Sequence, residues 1–221
     1  MADTEAEKAR AAEAAAALVE DGMTVGLGTG STVAHLLPAL GRRALNLRCV
    51  ATSPATEHAA RELGISVGEF QSPERLDIAI DGADQVAFDG WIVKGGGGAH
   101  TREKIVAAAA DRFVVIADSS KPVERIRSPI PLELAAYGLA STLRRLRQSV
   151  GEVDLRDETP PSPDGGKIAD YRGTVDDPQR LASALSATPG VVDHGLFPPE
   201  MVSEVLIGRG NTVDRLPRPP A

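Results

Sequence analysis

The chain has little of what several protein classes depend on. Its single cysteine, Cys49, excludes an internal disulfide framework and offers no cysteine cluster for a metal. Aromatic residues make up 3% of the chain, too few for base-stacking platforms. The net charge of −7, with few and scattered basic residues, argues against nucleic acid as the main partner. Because no apolar run is long enough to span a bilayer, we also expect no membrane partner.

The beginning of the chain also lacks the pattern of a secretion signal. It carries acids and alanines, not a basic region followed by an apolar one, so we expect a cytoplasmic protein. The 221 residues suffice for a sizeable core and for one or two domains. Cys49 lies in an apolar run and is expected to be a small core residue.

Short apolar runs alternate with helical segments through the first half of the chain. Strands are predicted at 23–27, 47–52, 76–80, 91–93 and 113–117, and helices at 6–20, 33–40, 55–63 and 101–110. This alternation predicts right-handed parallel crossovers. We therefore expect an α/β fold, with a Rossmann-like open parallel sheet and helices on both faces. Pro38 should end or kink the second helix.

The composition changes near residues 127–129, which indicates a domain boundary. Beyond it, strands are predicted at 131–136, 152–156, 167–171 and 191–194, and helices at 137–149 and 177–187. This order predicts a small α+β ferredoxin-like domain. A strand at 204–207 should return to the first domain. The predicted domains are residues 1–127 with 204–221, and residues 128–203.

The turn Gly28-Thr29-Gly30-Ser31-Thr32, between a strand and a helix, favours an anion. A helix N-terminus presents unpaired N–H groups and partial positive charge, glycines let the backbone approach, and three hydroxyls add donors. No Gly-Lys-Ser/Thr follows and the full Gly-x-Gly-x-x-Gly is missing, so a small phosphorylated molecule fits better than a nucleotide. A Ser/Thr N-cap with a glycine turn would explain the same residues without a ligand.

Three further side chains near predicted strand and helix ends could either contact a ligand or have another role. Lys8, near the start of the first helix, is either a solvated lysine or a phosphate contact. His35 is expected to pack within its helix rather than bind a ligand. Lys121 follows the carboxyl end of a predicted strand and is a candidate to face the ligand.

The central part of the chain concentrates the other polar candidates. Asp81 and Asp84 follow one buried strand, and Lys94 follows another and opens a run of four glycines, 95–98. The run leads into a helix that contains Glu103. Ligands of open α/β sheets bind beyond the carboxyl ends of strands, so we expect these groups to converge on a ligand. A solvated turn and a flexible linker are the alternative.

A phosphate site with a carboxylate base and a lysine suits proton abstraction next to a carbonyl. In an aldose phosphate the C1 aldehyde acidifies the C2 proton; its removal gives an enediolate, and its return at C1 gives the ketose. Glu103 is the candidate base, and burial would raise its pKa above the usual value of about 4.3. Lys94 and the following N–H groups would stabilise the oxyanion. Asp81 or Asp84 would assist opening of the sugar ring.

Short blocks of the sequence keep the order and spacing of one family. They are Gly28–Thr32, Asp81-Gly82-Ala83-Asp84, Lys94-Gly95-Gly96-Gly97-Gly98-Ala99, Thr101-Arg102-Glu103-Lys104, Asp118–Lys121, Gly190–Val192 and Gly195–Phe197. The chain resembles ribose-5-phosphate isomerase, type A, over nearly its whole length.

The resemblance implies interconversion of D-ribose 5-phosphate and D-ribulose 5-phosphate in the non-oxidative pentose phosphate pathway. It implies Glu103 as proton acceptor, with Asp81, Asp84 and Lys94 supporting ring opening and charge. The substrate-binding candidates are Thr29, Gly30, Ser31, Thr32, Asp81, Gly82, Ala83, Asp84, Lys94, Gly95, Gly96, Gly97 and Lys121. The resemblance further implies no metal, no cofactor and a two-domain subunit in a homodimer or homotetramer.

Three residues depart from the family pattern. Gln85 stands where Glu is common, His100 where Leu is usual, and Lys167 where Asn is usual. None removes a group with an implied role, so we expect effects on rate, pH profile and local packing rather than on the reaction.

Two other functions fit parts of the pattern. A sugar-phosphate-sensing module would use the same architecture, but no basic helix-turn-helix precedes Met23. A coenzyme A transferase would use a Glu nucleophile, but Lys94 and Asp81 have no clear role in it. An assay of ketose formation from ribose 5-phosphate distinguishes the isomerase from these two functions.

Overall fold

The computed structural model describes residues 3–70, 75–157 and 159–217 and divides into two compact units. Unit 1 consists of Met1–Ala83, Arg102–Pro122 and Pro199–Ala221, and unit 2 of Asp84–Thr101 and Val123–Pro198. The units differ from the predicted domains, since residues 84–101 group with unit 2. The domain assignment stays a prediction, and its residues 1–2, 71–74, 158 and 218–221 lie outside the described residues.

The elements follow one another along the chain in a mostly alternating order. The helices are α1 (Thr4–Ala16), α2 (Ser31–Arg43), α3 (Pro54–Glu62), α4 (His100–Ala109), α5 (Leu139–Ser149) and α6 (Pro178–Ser186), with a short 3-10 helix at Pro199–Met201. The strands are β1 (Thr24–Leu27), β2 (Arg48–Ala51), β3 (Ile78–Gly82), β4 (Gln85–Ala87), β5 (Ile92–Val93), β6 (Phe113–Asp118), β7 (Pro122–Val123), β8 (Ile130–Leu134), β9 (Val153–Leu155), β10 (Lys167–Tyr171), β11 (Val191–His194), β12 (Leu196–Phe197), β13 (Glu204–Arg209) and β14 (Thr212–Pro217). None of the helices in the described ranges is long and apolar enough to cross a bilayer.

Unit 1 is built on a six-stranded sheet in the order β14-β13-β6-β3-β1-β2. Neighbouring strands run parallel, except for the antiparallel hairpin of β13 and β14. From β1 the chain first adds β2 on one side and then β3 on the other, so the strand order reverses between β1 and β3. Ligands of open α/β sheets bind at such a switch point, beyond the carboxyl ends of the strands. The expected Rossmann-like parallel sheet is confirmed.

Helices cover both faces of this sheet, as predicted. Side chains alternate along a strand, and Val25 and Leu27 of β1 join a buried core cluster with residues of α1 and α2. Gly26, between them, faces the opposite side, where a Cβ would collide with Val106 of α4. Glycine at this position therefore lets α4 lie close to the sheet.

Of the two outcomes expected at Pro38, an early end of α2 is wrong, and a kink stays a prediction. The helix continues to Arg43 because the neighbouring Leu37 and Leu40 are buried in the core, which outweighs one lost backbone hydrogen bond. Arg43 also donates to the carbonyl of Val19 at 2.7 Å, which ties the end of α2 to the segment after α1.

Unit 2 contains a four-stranded antiparallel sheet in the order β11-β8-β10-β9. Its elements follow in the order β8-α5-β9-β10-α6-β11, which confirms the predicted ferredoxin-like unit. A second small sheet has the order β12-β5-β4-β7. Three of its strands were not predicted, because strands of two or three residues are too short to show a period.

Candidate active site

The turn after β1 is built around the carboxylate of Asp81. Asp81 is buried and lies within β3, which extends to Gly82, two residues beyond the predicted end. Its Oδ1 accepts the backbone N–H groups of Thr29 at 3.1 Å and of Gly82 at 2.7 Å. A Cβ on Gly28 would overlap the Asp81 carboxylate, so glycine is required there. Asp81 thus joins the carboxyl ends of β1 and β3 at the switch point.

The hydroxyl of Thr29 belongs to a cluster of four hydroxyls. Its Oγ1 donates to Ser53 Oγ at 2.8 Å and lies 2.9 Å and 3.1 Å from the Oγ1 atoms of Thr52 and Thr56. The three partners are buried, and Ser53 caps the N-terminus of α3. The Thr29 hydroxyl therefore fixes the turn by contacts within the protein.

The N-terminus of α2 follows directly. Its N-cap is Gly30, with φ 122°, and within the described residues no side chain caps this end. Because the cap is a glycine, the Ser/Thr N-cap that would explain the motif without a ligand is not formed. Ser31, the first helical residue, is exposed, whereas Thr32 is buried. The first-turn N–H groups are the kind that bind an anion.

Lys121 follows the end of β6, the strand next to β3. The N–H of Ser120 donates to Asp118 Oδ1 at 2.9 Å, and the N–H of Lys121 donates to the Asp118 carbonyl at 3.2 Å. The carboxyl ends of β1, β3 and β6 lie on one edge of the sheet, so Lys121 shares that edge with the turn at Gly28 and with Asp81.

Glu7, which was not predicted as a site residue, binds the segment that follows β6. The buried Glu7 carboxylate accepts the N–H of Gly210 at 2.7 Å and the N–H of Ser119 at 3.0 Å. These hydrogen bonds hold the pKa of Glu7 below its usual value. An acid in the first turn of a helix is ordinarily solvated, so the pattern carried no signal for this contact.

Lys8, for which two roles were open, and His35, which was expected to pack, both contact Glu5. Lys8 Nζ donates to Glu5 Oε1 at 2.7 Å, and His35 Nε2 lies 3.0 Å from Glu5 Oε2. The pKa of Glu5 is lowered, chiefly by its hydrogen bond with Lys8. His35 thus bridges α2 to α1 through a polar contact instead of packing in an apolar environment.

Glu103 lies in the first turn of α4, which is separated from the glycine run by Ala99 alone. Only 5% of its surface is exposed, whereas a glutamate on a helix is ordinarily solvated. Glu103 therefore stays the candidate general base, a role that glutamate side chains can take.

In unit 2, the carboxylate of Asp84 holds the glycine loop, residues 95–98. Asp84 Oδ2 accepts the N–H of Gly96 at 2.8 Å, and the Asp84 N–H donates to the carbonyl of Val93 at 2.7 Å. A Cβ on Gly96 would lie 2.8 Å from Asp84 Oδ1, so this close approach requires glycine. Asp84 is exposed, in contrast to Asp81.

The glycine loop turns sharply before α4. Gly95 and Gly98 have φ of 104° and 75°, and the N–H of Gly98 donates to the carbonyl of Gly95 at 3.0 Å. A Cβ on Gly95 would lie 2.6 Å from Nδ1 of the fully buried His100. Gly97, in contrast, is exposed and has open space around it.

Lys94 connects β5 to the loop and is 3% exposed. Its N–H donates to the Gly195 carbonyl at 2.9 Å. Its Nζ lies 5.8 Å from the centroid of the Phe197 ring, within the range of a cation–π interaction.

A buried acid in β8, Glu133, holds two further segments of unit 2. Its Oε2 accepts the hydroxyl of Thr101 at 2.5 Å, and its Oε1 accepts the hydroxyl of Ser162. Ser162 Oγ in turn accepts the N–H of Gly166 at 2.9 Å. Thr101 begins the segment that leads to Glu103. Glu133 was not predicted as a contact; the one available signal was a glutamate inside the strand predicted at 131–136.

The three departures from the family pattern have different surroundings. Gln85 Nε2 donates to the Arg127 carbonyl at 2.6 Å, and its Oε1 accepts the Arg127 N–H at 3.0 Å. A glutamate could not make both bonds, because a carboxylate does not donate. His100 is fully buried, and Lys167 is exposed at the start of β10.

The candidate residues fall into two groups. Unit 1 holds Thr29, Gly30, Ser31, Thr32, Asp81, Gly82, Ala83, Glu103 and Lys121, and unit 2 holds Asp84, Lys94, Gly95, Gly96 and Gly97. Within the described residues, no group of three or more His, Cys, Asp or Glu side chains is placed to hold a metal ion.

Comparison with known proteins identifies relatives over nearly the whole chain. The family model of ribose 5-phosphate isomerase A (phosphoriboisomerase A) matches residues 48–212. A model of the DeoR C-terminal sensor domain matches residues 3–67. Ribose-5-phosphate isomerase A of Halobacterium salinarum is 46% identical over 199 residues, which cover 86% of this chain and 87% of that protein.

Solved structures agree with the sequence matches. The crystal structure of ribose 5 phosphate isomerase A from Neisseria gonorrhoeae is 31% identical, with a TM-score of 0.94 and full coverage of both chains. A D-ribose-5-phosphate isomerase in complex with phospho-erythronic acid is 30% identical, with a TM-score of 0.90 over 98% of this chain and 100% of that chain. The chain therefore belongs to the ribose-5-phosphate isomerase A family.

Proposed function

We propose that the chain interconverts D-ribose 5-phosphate and D-ribulose 5-phosphate by proton transfer through an enediolate. This is the aldose–ketose step of the non-oxidative pentose phosphate pathway. The observation that carries the proposal is Glu103, a buried carboxylate in the first turn of a helix that begins two residues after the glycine loop.

Glu103 is the proposed base. Its carboxylate removes the proton from C2, the electron pair forms the C1–C2 double bond, and the aldehyde oxygen gains the negative charge. The protonated Glu103 then returns the proton to C1 while the hydroxyl proton on O2 moves to O1, which leaves the ketone at C2. One carboxylate serves both carbons, because they are adjacent.

The anionic oxygen of the enediolate needs positive charge or N–H donors. Lys94 and the N–H groups of the glycine loop are the proposed source, since the lysine lies between the last residue of β5 and the first glycine of the loop. Asp81 or Asp84 is the proposed group for opening the closed sugar. Each already accepts a backbone N–H through one oxygen, which orients the carboxylate.

The proposed phosphate site is the N-terminus of α2 with Lys121. The glycine N-cap of α2 and the exposed Ser31 support it, because backbone N–H groups and a hydroxyl suit a phosphate. Lys121, on the same sheet edge, would balance the phosphate charge.

The ligand of one related structure fits this chemistry. Phospho-erythronic acid, bound to that isomerase, is a phosphorylated four-carbon sugar acid. Its carboxylate carries two oxygens on one carbon with a delocalised negative charge, as an enediolate carries charge on oxygens of adjacent carbons. We propose that this compound inhibits the present chain in competition with ribose 5-phosphate.

The assembly and the location stay predictions. We propose a homodimer or homotetramer; the exposed aromatic side chains of Tyr137 and Phe88 provide apolar surface for such contacts. Light scattering of the purified protein measures the mass of the assembly. A cytoplasmic location is proposed from the sequence alone.

The alternative function, a sugar-phosphate sensor, is not favoured. The sensor-domain model ends at residue 67, so it includes the turn at Gly28 but not Asp81, Lys94 or Glu103. A sensor needs a phosphate site but no buried base.

The test is ketose formation from ribose 5-phosphate by the purified chain, with no added metal or cofactor. We expect turnover, and we expect EDTA treatment to leave it unchanged. Phosphate binding without ketose formation would favour the sensor. Loss of turnover with EDTA and its recovery with a divalent ion would contradict a metal-free mechanism.

A further inference from the structure

Unit 2 contains a bidentate ion pair between Arg156 and Asp170. Arg156 Nε lies 2.9 Å from Asp170 Oδ2, and Nη2 lies 2.7 Å from Oδ1. Asp170 is buried in β10 and Arg156 follows β9, the neighbouring strand. The two parallel N–H···O bonds fix the plane of the guanidinium.

The remaining nitrogen of this guanidinium contacts the glycine loop. Arg156 Nη1 donates to the carbonyl of Gly96 at 2.9 Å and to the carbonyl of Gly95 at 3.3 Å. The guanidinium thus uses one edge for Asp170 and its remaining nitrogen for the loop. It orients two consecutive peptide groups of the run that follows Lys94.

Fixing the carbonyls also fixes the N–H groups. In a trans peptide the C=O and the N–H of the same plane point in opposite directions. The carbonyl of Gly95 shares its plane with the N–H of Gly96, which donates to Asp84. The carbonyl of Gly96 shares its plane with the N–H of Gly97. Arg156 therefore directs the Gly97 N–H away from itself, at the exposed position of the loop.

We infer that the Arg156–Asp170 pair is a positioning device that orients the N–H group of Gly97 toward the oxyanion of the enediolate. The inference rests on the proposed function. Neither side chain acts on the substrate; both act through the loop. Without the pair, glycine residues would let the loop rotate among many conformations, and the donors would be misaligned when charge develops.

The geometry requires an arginine. A lysine keeps the charge, but its single ammonium cannot bind both oxygens of Asp170 and two carbonyls in one plane. Arg156→Lys therefore removes the orientation while retaining the positive charge. Arg172 provides a matched control: its Nη2 lies 3.4 Å from Asp170 Oδ2, and it is more exposed than Arg156.

The test compares Arg156→Lys and Arg172→Lys with the wild-type chain. For Arg156→Lys we expect kcat with ribose 5-phosphate to fall about 10- to 100-fold, the size of effect that misplaced groups have. KM should change by less than about threefold, because the phosphate site is elsewhere in the chain. The inhibition constant of phospho-erythronic acid should rise by the same factor as kcat/KM falls. Arg172→Lys should match the wild type.

Three results would overturn the inference. One is a folded Arg156→Lys variant with wild-type kcat. Another is a loss of kcat without weaker binding of phospho-erythronic acid. The third is that Arg156→Lys and the second variant, Asp170→Asn, both fail to fold, which would make the pair a folding element. Failure of the wild-type chain to form ketose would instead refute the proposed function.

Discussion

Asp77 and Thr24 fasten the amino ends of β3 and β1 to each other. Asp77 Oδ2 accepts both the N–H and the hydroxyl of Thr24, each at 2.7 Å. Asp81 and Thr29 make the corresponding contact at the carboxyl ends of the same two strands. The strand pair at the switch point is therefore held at both ends by a carboxylate of β3 or of the residue just before it.

We predict that the two ends differ in function, and Asp77→Asn tests the amino end. The hydrogen bonds from Thr24 hold the pKa of Asp77 below its usual value of 3.8. A group with a lowered folded-state pKa stabilises the fold above its unfolded pKa, and this stabilisation is lost as the pH falls through the folded pKa. Asp77→Asn should therefore lower the free energy of unfolding at neutral pH, and the difference from wild type should shrink below about pH 4.

Urea unfolding at neutral pH and below about pH 4 measures the free energy of unfolding of both proteins. The kcat of Asp77→Asn at neutral pH should stay within about twofold of wild type. A large loss of kcat in Asp77→Asn would contradict the separation of the two ends.

Gly28→Ala tests the carboxyl end. The added methyl group would overlap the Asp81 carboxylate, so either the turn or the carboxylate must move. Overpacking of this kind costs about 1–3 kcal/mol in the free energy of unfolding. We also expect kcat/KM to fall at least about tenfold, since the same turn begins the proposed phosphate site.

Gly68→Ala is the control for this substitution, because a Cβ there has no neighbour within 4 Å. It should leave both quantities close to wild type. Unchanged kcat/KM in a folded Gly28→Ala variant would show that the turn and Asp81 are not part of the site.

Glu103→Gln should suppress turnover with little effect on folding. The amide has the shape of the acid but cannot accept the proton, and general base catalysis is typically worth about 10²- to 10⁴-fold in rate. Steady-state kinetics and thermal unfolding measure the two effects. The exposed Glu20, changed to Gln, is the control for loss of a charge alone. If Glu103→Gln keeps more than about a tenth of wild-type kcat, the base lies elsewhere, and Asp81 and Asp84 become the candidates.

Lys94→Ala and Lys121→Ala should affect different kinetic constants. If Lys94 meets charge that exists only on the enediolate, its loss lowers kcat with little change in KM. Loss of the Lys121 side chain, which lies on the sheet edge of the phosphate site, should raise KM with little change in kcat. Both variants are measured with ribose 5-phosphate at one pH and ionic strength. A change in KM alone at Lys94 would move this residue from the chemistry to substrate binding.

The sequence predicted the order of the longer elements because their apolar periods are local. Glu103 was chosen as a candidate because the glycine run leads into its helix, and the structure shows that only 5% of its surface is exposed. The extent of β3 was underestimated, since Asp81 lies inside the strand and is accommodated there by backbone donors. A polar residue in a strand can be predicted only if its partners are known.

Contacts between distant residues were not predictable from one sequence. Arg156 reaches the carbonyl of Gly96 from 60 residues along the chain, and Gln85 pairs with the backbone of Arg127 from 42 residues away. Neither contact follows from a periodic pattern in the sequence, and the sequence alone would place both side chains on the surface. These contacts depend on how strands pair, which local propensity does not determine.

Because Cys49 is buried, its reactivity can report local opening of the protein around β2. Cys49 is the one cysteine of the chain, and its side chain is buried. It lies in β2, which is an edge strand of the six-stranded sheet. Residues 66–68 cover this edge: the N–H of Cys49 donates to the carbonyl of Ser66, and that of Gly68 donates to the carbonyl of Cys49.

Burial also raises the pKa of the Cys49 thiol to about 12, so the reactive thiolate is scarce in the folded chain. A thiol reagent should therefore modify Cys49 only when this edge of the sheet opens. The rate of modification measures the frequency of that opening in the wild-type chain and in variants that retain Cys49, with no introduced label.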